Sequence, residues 1–131
     1  MLLKIKMLMQ LIFLYIFRFS RVKRFKYSLS IVCILKDEAI YMKEWIEYHR
    51  LIGVDHFYIY DHNSSDNIYD VLKSYITLGI VTYKRVNTKY YPQNQCYTNA
   101  IFKYRNKNKY LAFIDVDEFI CLRNRIIIYW K

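Results

Sequence analysis

Asp115 and Asp117, separated by Val116 and followed at once by Glu118, are the residues whose types and spacing point most directly to chemistry. They come after an apolar run, Tyr110-Leu111-Ala112-Phe113-Ile114, and Phe119-Ile120 resume it. Such β-prone residues, with no Gly or Pro among them, predict a strand at 110–114 buried on both faces. Carboxylates are costly to bury unless they are paired or bound to a cation. A strand that leaves a core and ends in Asp-x-Asp therefore presents two oxygen ligands at the C-terminal edge of its sheet. In open α/β sheets that edge is where ligands bind. Oxygen ligands suit Mg2+ or Mn2+, ions that such sites hold with one or two carboxylates plus substrate phosphates. The competing reading is a solvated acidic turn between two strands.

The elements that must position these carboxylates are legible upstream. Residues 28–35 (SLSIVCIL) predict a buried strand, and Lys36-Asp37-Glu38 follows, with Asp37 able to cap the next helix. Ile40, Trp45, Ile46, His49 and Ile52 recur at helical spacing, and Gly53 supplies a stop. Residues 57–60 predict a second strand, ending in the polar turn Asp61-His62-Asn63-Ser64-Ser65-Asp66. Ile68, Val71, Leu72 and Tyr75 form the inner stripe of a second helix, which Gly79 ends. A third strand at 80–86, a loop at 87–92 and a helix at 93–106 lead into 110–114. Alternation of this kind implies a parallel α/β sheet with helices on both faces. Asp61 and Asp66 then fall on the same sheet edge as Asp115 and Asp117, and that convergence weighs against the solvated turn.

Composition bounds the function. At 131 residues the chain is one domain, and its 55% hydrophobic content with two Gly and one Pro excludes disordered and fibrous classes. Fifteen Tyr, with abundant Lys, Asn and Ile, fit an AT-rich coding bias that dilutes the meaning of any single aromatic or lysine. The net charge of +10 is concentrated early, in Lys4, Lys6, Arg18, Arg21, Lys23, Arg24 and Lys26. That distribution argues for a partner of the N-terminal segment and against a nucleic-acid-binding domain. The apolar run at 7–17 is too short to span a bilayer, and the basic segment after it is a poor cleavage site. Phe19, Val22 and Phe25 interleave the basic residues, as suits a helix lying on an anionic cytoplasmic membrane face. A short signal-anchor and a packing helix are the other readings. Cys33, Cys96 and Cys121 are odd in number and lack CxxC or His companions, which fits buried small hydrophobes in a reducing compartment and no zinc site. The absence of a Gly-rich loop after the first strand argues against a dinucleotide-binding or response-regulator-like domain.

The ordered set KDEAIYMKEWIEYHRLIGVDHFYIYDHNSSDN, GIVTY, QNQCYTNA and YLAFIDVDEFI resembles the N-terminal, nucleotide-sugar half of a GT-A glycosyltransferase. It is similar to family 92 and to the family 2-like bacterial enzymes that often make surface polysaccharide, and the likeness covers about residues 28–120. The resemblance implies a GT-A, Rossmann-like, mostly parallel sheet flanked by helices, and a UDP- or GDP-sugar donor with a saccharide or lipid-linked acceptor. It implies that Asp115 and Asp117 hold Mn2+ or Mg2+ on the donor diphosphate, with Asp117 as direct ligand. Asp61 would face the base and ribose, and Lys36, Asp37 and Glu38 would line the same pocket. The commonest family 2 turn reads Asp-Asp-Gly-Ser; here His62 and Asn63 take the second and third places, so Asp61, Asn63 and Asp66 all remain candidates for the base. Asp66 is equally a helix cap. Gln95 and Asn99, four apart on one helix face, either reach the nucleotide sugar or make core-edge contacts. His62 is a phosphate contact or a turn histidine, and His49 and Trp45 read as packing residues.

After Ile120 the chain continues only as CLRNRIIIYWK, with no Asp or Glu beyond Glu118. An inverting transfer needs a carboxylate to take the acceptor proton, and no catalytic residue is assigned. The expectation is three parts: a membrane-associating segment at 1–27, a nucleotide-sugar-binding half-domain at 28–120 and a tail at 121–131, truncated after the Asp-x-Asp strand. The alternative function is a non-catalytic nucleotide-binding fragment, or a subunit completed by a second polypeptide.

Overall fold

Successive residues of strand β1 (Tyr27–Leu35) point to opposite faces, and both faces are buried from Ser30 to Leu35. Ile31, Cys33 and Leu35 enter one hydrophobic cluster, whereas Val32 and Ile34 enter another. The structure, a computed structural model, describes residues 24–121. The expectations for residues 1–23 and 122–131, which include most of the membrane-associating segment and of the tail, lie outside the described residues.

The order after β1 is α1 (Ala39–Leu51), β2 (His56–Asp61), α2 (Ile68–Thr77), β3 (Val81–Arg85), α3 (Gln93–Tyr104) and β4 (Asn108–Phe113). The four strands form one parallel sheet in the order β3-β2-β1-β4. Ala39, Met42, Trp45 and Ile46 of α1 and Ile68, Leu72 and Tyr75 of α2 cover the Ile31/Cys33/Leu35 face. Cys96, Ala100 and Tyr104 of α3 cover the Val32/Ile34 face, with Tyr58 and Tyr60. This is the expected α/β sheet with helices on both faces. Gly53 and Gly79 end α1 and α2 at positive φ, 99° and 71°, where a side chain would be strained.

Three expectations need correction. Strand β4 is only partly buried: Leu111 and Phe113 pack on one cluster and Ala112 on the other, but Leu111–Phe113 are half-buried, Lys109 and Tyr110 are exposed, and among the described residues the strand lies at the sheet edge with β1 as its neighbour. Asp37 does not cap α1; it adopts φ 57° and turns its carboxylate to Ser65. Cys33 and Cys96 are buried, but Cys121 is exposed.

The sheet order creates a switch point. Chain progress runs from β1 outward through β2 to β3, then α3 returns it across the sheet to β4 on the far side of β1. The C-terminal ends of β1 and β4 therefore lie side by side where the chain reverses its direction across the sheet, the place where open α/β sheets form a crevice.

Candidate functional site

At that crevice the loop after β4 folds into a tight turn. The Glu118 N–H donates to the Asp115 carbonyl at 3.1 Å, and Glu118 Oε2 accepts the Asp115 N–H at 3.0 Å. Val116 points into the core and is 7% exposed, so the two aspartates flanking it stay at the surface. Asp115 and Asp117 line a cleft of about 330 Å³ with Lys36 and Glu38 from the turn after β1, the ends of β1 itself, and Tyr91.

Tyr91 was invisible in the sequence as a site residue, one tyrosine among many. The loop between β3 and α3 folds back until its hydroxyl reaches the Ile34 carbonyl at 3.4 Å. His62 props the ring from behind at 5.4 Å, and its own Nε2 meets the Thr88 carbonyl at 3.0 Å. Burial, and then the Asp115 carboxylate, push the Tyr91 phenol above its ordinary pKa.

The segment after the turn is fastened to α1, which sequence reasoning treated as packing alone. Trp45 Nε1 donates to the Glu118 carbonyl at 2.9 Å, and the Tyr48 hydroxyl donates to the Ile120 carbonyl at 3.0 Å. His49 Nε2 accepts the Ile120 N–H at 3.3 Å, while its Nδ1–H meets the Trp45 carbonyl at 2.8 Å. Those partners fix His49 as the neutral, Nδ1-protonated tautomer, and burial holds its pKa below the ordinary value. The fully buried Trp45 and His49, with the partly buried Tyr48, thus anchor the backbone at Glu118 and Ile120, just after Asp117.

The other predicted site residues lie elsewhere. Asp61 is fully buried; Oδ1 accepts the Ser64 N–H at 2.7 Å and Oδ2 accepts the Tyr83 hydroxyl. Asn63 is exposed, with Oδ1 held by Arg85 Nη2 at 2.9 Å. Asp37 accepts the Ser65 N–H at 2.6 Å, and those Ser65 bonds hold its carboxyl below the usual range. Asp66 accepts the Ala39 N–H at 2.8 Å and the Ile68 N–H at 3.2 Å, one carboxylate serving the N-termini of both α1 and α2. Gln95 and Asn99 line a different hollow beside Lys84 and Val86, and Asn99 Oδ1 accepts the Tyr60 hydroxyl at 3.0 Å. The structure thus gathers Lys36, Glu38, Asp115 and Asp117, and uses Asp37, Asp61, Asn63 and Asp66 to join the loops beneath them.

The donor set of the cleft fits a hard divalent cation. Burial first, and then the carboxylates of Asp115, Glu38, Asp117 and Glu118, push the Cys33 thiol far above its ordinary pKa. Among the described residues no three His, Cys, Asp or Glu side chains enclose an ion by themselves. A cation at Asp115 and Asp117 would complete its shell with ligand oxygens and water, the usual state of Mg2+ on a phosphate substrate.

The family model for glycosyltransferase family 92 matches residues 28–127. A glycosyltransferase family 92 protein of Ricinus communis is 35% identical over 107 residues, 79% of this chain and 18% of its own length. One from Oryza sativa subsp. japonica is 31% identical over 104 residues, 75% of this chain and 17% of its own. A galactan β-1,4-galactosyltransferase of Arabidopsis thaliana is 35% identical over 88 residues, 60% of this chain and 17% of its own. The chain spans under a fifth of the length of these curated relatives.

Proposed function

The chain belongs to glycosyltransferase family 92, and we propose that its switch-point cleft is the donor site of a glycosyl transfer from a UDP- or GDP-sugar. The observation that carries this reading is the pairing of Asp115 and Asp117 with Lys36 and Glu38 around one cleft. Asp115 and Asp117 would hold Mn2+ or Mg2+ against the donor diphosphate. The chemistry such a cation supplies is Lewis-acid neutralisation of the charge that develops on the departing diphosphate.

The chain's own residues do the rest of the binding. Lys36 places a point charge beside the phosphates. The bonds from Trp45, Tyr48 and His49 fix the backbone at Glu118 and Ile120, so the turn that carries Asp117 is tied down before the donor arrives and less ordering is left to binding. The buried Asp61 acts on the donor indirectly, by shaping the loop that carries His62 and hence Tyr91. The acceptor is a saccharide or a lipid-linked saccharide, and the product a surface polysaccharide or glycoconjugate. Residues 1–27 bring the domain to the inner face of an anionic membrane.

Calorimetric titration with UDP and GDP, with and without Mn2+, tests the reading, and UDP-galactose enters next because of the named galactosyltransferase relative. The expected result is metal-dependent binding of one nucleotide that Asp117→Ala abolishes. A folded chain that binds neither nucleotide, or an Asp117→Ala variant that binds unchanged, overturns it.

A further inference from the structure

The parallel topology gives the domain two poles. Every helix runs back against the strands, so the C-terminal ends of α1, α2 and α3 stand beside the N-terminal ends of the strands, opposite the cleft. The eleven Asp and Glu are divided unevenly between these poles. Glu44 sits midway along α1. Apart from Asp55 and Glu47, the rest occupy the loops after β1, β2 and β4 or the first turn of α2, at the cleft pole. Asp55 and Glu47 are already committed. Asp55 Oδ2 accepts the Ser28 and Leu29 N–H groups at 2.6 and 3.2 Å, and Glu47 accepts the Tyr75 hydroxyl at 2.8 Å and pairs with Arg50 at 3.2 Å.

Cations gather where free carboxylates are missing. Arg24 and Lys26 lead into β1, and Lys103, Arg105, Lys107 and Lys109 alternate from the last turn of α3 into β4, all of them exposed. The Lys26 and Tyr27 N–H groups donate to the Lys107 carbonyl at 2.9 and 3.1 Å, and Tyr27 is in register with Asn108, so the two runs meet on one rim. Among the described residues no carboxylate pairs with any of these six cations. Large apolar side chains flank the rim. Leu51 ends α1 and is 87% exposed, and Leu78, just after α2, is 71% exposed. Phe102, in the last turn of α3, is 68% exposed, with the Arg105 guanidinium 5.6 Å from its ring.

A bilayer with anionic headgroups takes both features. Lys and Arg meet the lipid phosphates, while leucine and phenylalanine enter the boundary between headgroups and acyl chains. A nucleic acid would use the cations but would leave the exposed leucines without a partner. The route of the chain points the same way. Residues 1–23, with the apolar run at 7–17 and Arg18, Arg21 and Lys23, join the described residues at Arg24, on this rim. We propose that the N-terminal pole of the sheet is a lipid-docking face. On it Lys103, Arg105, Lys107 and Lys109 bind anionic headgroups, and Leu51, Leu78 and Phe102 enter the boundary region. The same lipid repels the acidic pole, so the domain sits with its cleft turned away from the membrane. This face rests on the membrane reading of residues 1–27 and is independent of the donor reading.

Co-sedimentation of the full chain with vesicles of phosphatidylcholine alone, or of equal parts phosphatidylcholine and phosphatidylserine, tests the face. One variant carries Lys103→Gln, Arg105→Gln, Lys107→Gln and Lys109→Gln. A matched variant loses the same charge elsewhere, by Lys43→Gln, Lys73→Gln, Lys84→Gln and Lys89→Gln. All eight side chains are exposed, so the fold survives both sets. Each cation close to an anionic membrane contributes about fivefold in affinity. The rim variant should therefore bind the phosphatidylserine vesicles about twentyfold more weakly or worse, and the matched variant within about threefold of the natural chain. Leu51→Ser with Leu78→Ser should weaken vesicle binding about fivefold and leave binding to a DNA duplex unchanged. The inference is overturned if the rim variant binds as the natural chain does, if the two charge variants weaken alike, or if the rim governs DNA binding and not vesicle binding. A natural chain that ignores the anionic vesicles overturns the reading of residues 1–27 along with it. Binding that is lost on removing residues 1–23 but unimpaired in the rim variant overturns this face alone.

Discussion

Replacing Asp66 separates its two readings, as a nucleotide ligand and as a structural cap. Its Oδ2 accepts the N–H of Ala39, the first residue of α1, and its Oδ1 that of Ile68, the first residue of α2. A lost side-chain cap costs typically about 1 kcal/mol, and a carboxylate near a helix N-terminus adds about 0.3–1 kcal/mol. Two helices lose a cap in Asp66→Ala, and the site is exposed, so the expected cost is about 2 kcal/mol. For a folded region of this size that lowers Tm by about 8–16 °C. Asp66→Asn keeps one accepting oxygen and forfeits the other, so it should fall about midway. Urea and thermal unfolding followed by circular dichroism give both numbers, and calorimetry with UDP and Mn2+ gives the binding. The reasoning fails if Asp66→Ala lies within about 0.5 kcal/mol of the natural chain, or if it loses nucleotide affinity with stability unchanged.

Acid should weaken the fold through His56. Burial pushes its pKa down from 6.5 to about 4, with Lys26 and Lys107 adding to the shift and a Gly79 backbone bond opposing it. Between those values the unfolded chain binds a proton that the native chain does not, so stability is whole above pH 6.5 and falls as pH drops through about 4, by on the order of 3 kcal/mol. His49 has the same sign. Urea midpoints across that window should show the loss, and His56→Phe should flatten it; an unchanged slope in the variant refutes the assignment. At the membrane, a chain beginning at Arg24 keeps β1 whole and should lose sedimentation with anionic liposomes, and equal binding by the shortened chain would end the membrane proposal.

Much of this protein was legible in the sequence, because burial and periodicity are local. Strand and helix runs, the stops at Gly53 and Gly79, and the exposed pair around an apolar Val116 all follow from the side chains of a few adjacent residues. The parallel sheet followed from the alternation of those runs, since short connections leave few other topologies. Tertiary structure decided which polar groups were free. The carboxylates of the first two loops look alike in the sequence. Asp61 became a buried brace against Ser64 and Tyr83, Asp37 a tie to Ser65, and Asp66 a double cap. Asp115 and Asp117 kept open surface because β4 came to the sheet edge beside the switch point. Tyr91 and the Trp45–Tyr48–His49 anchor could not be read at all, since their partners lie 57 and 71–73 residues away. Which segments are buried and where the chain turns can be read from adjacent residues, for those depend on neighbours within a helical turn or a strand. Which carboxylates keep oxygens for a ligand emerges only once the chain is folded, for that depends on which distant backbone N–H groups reach them first.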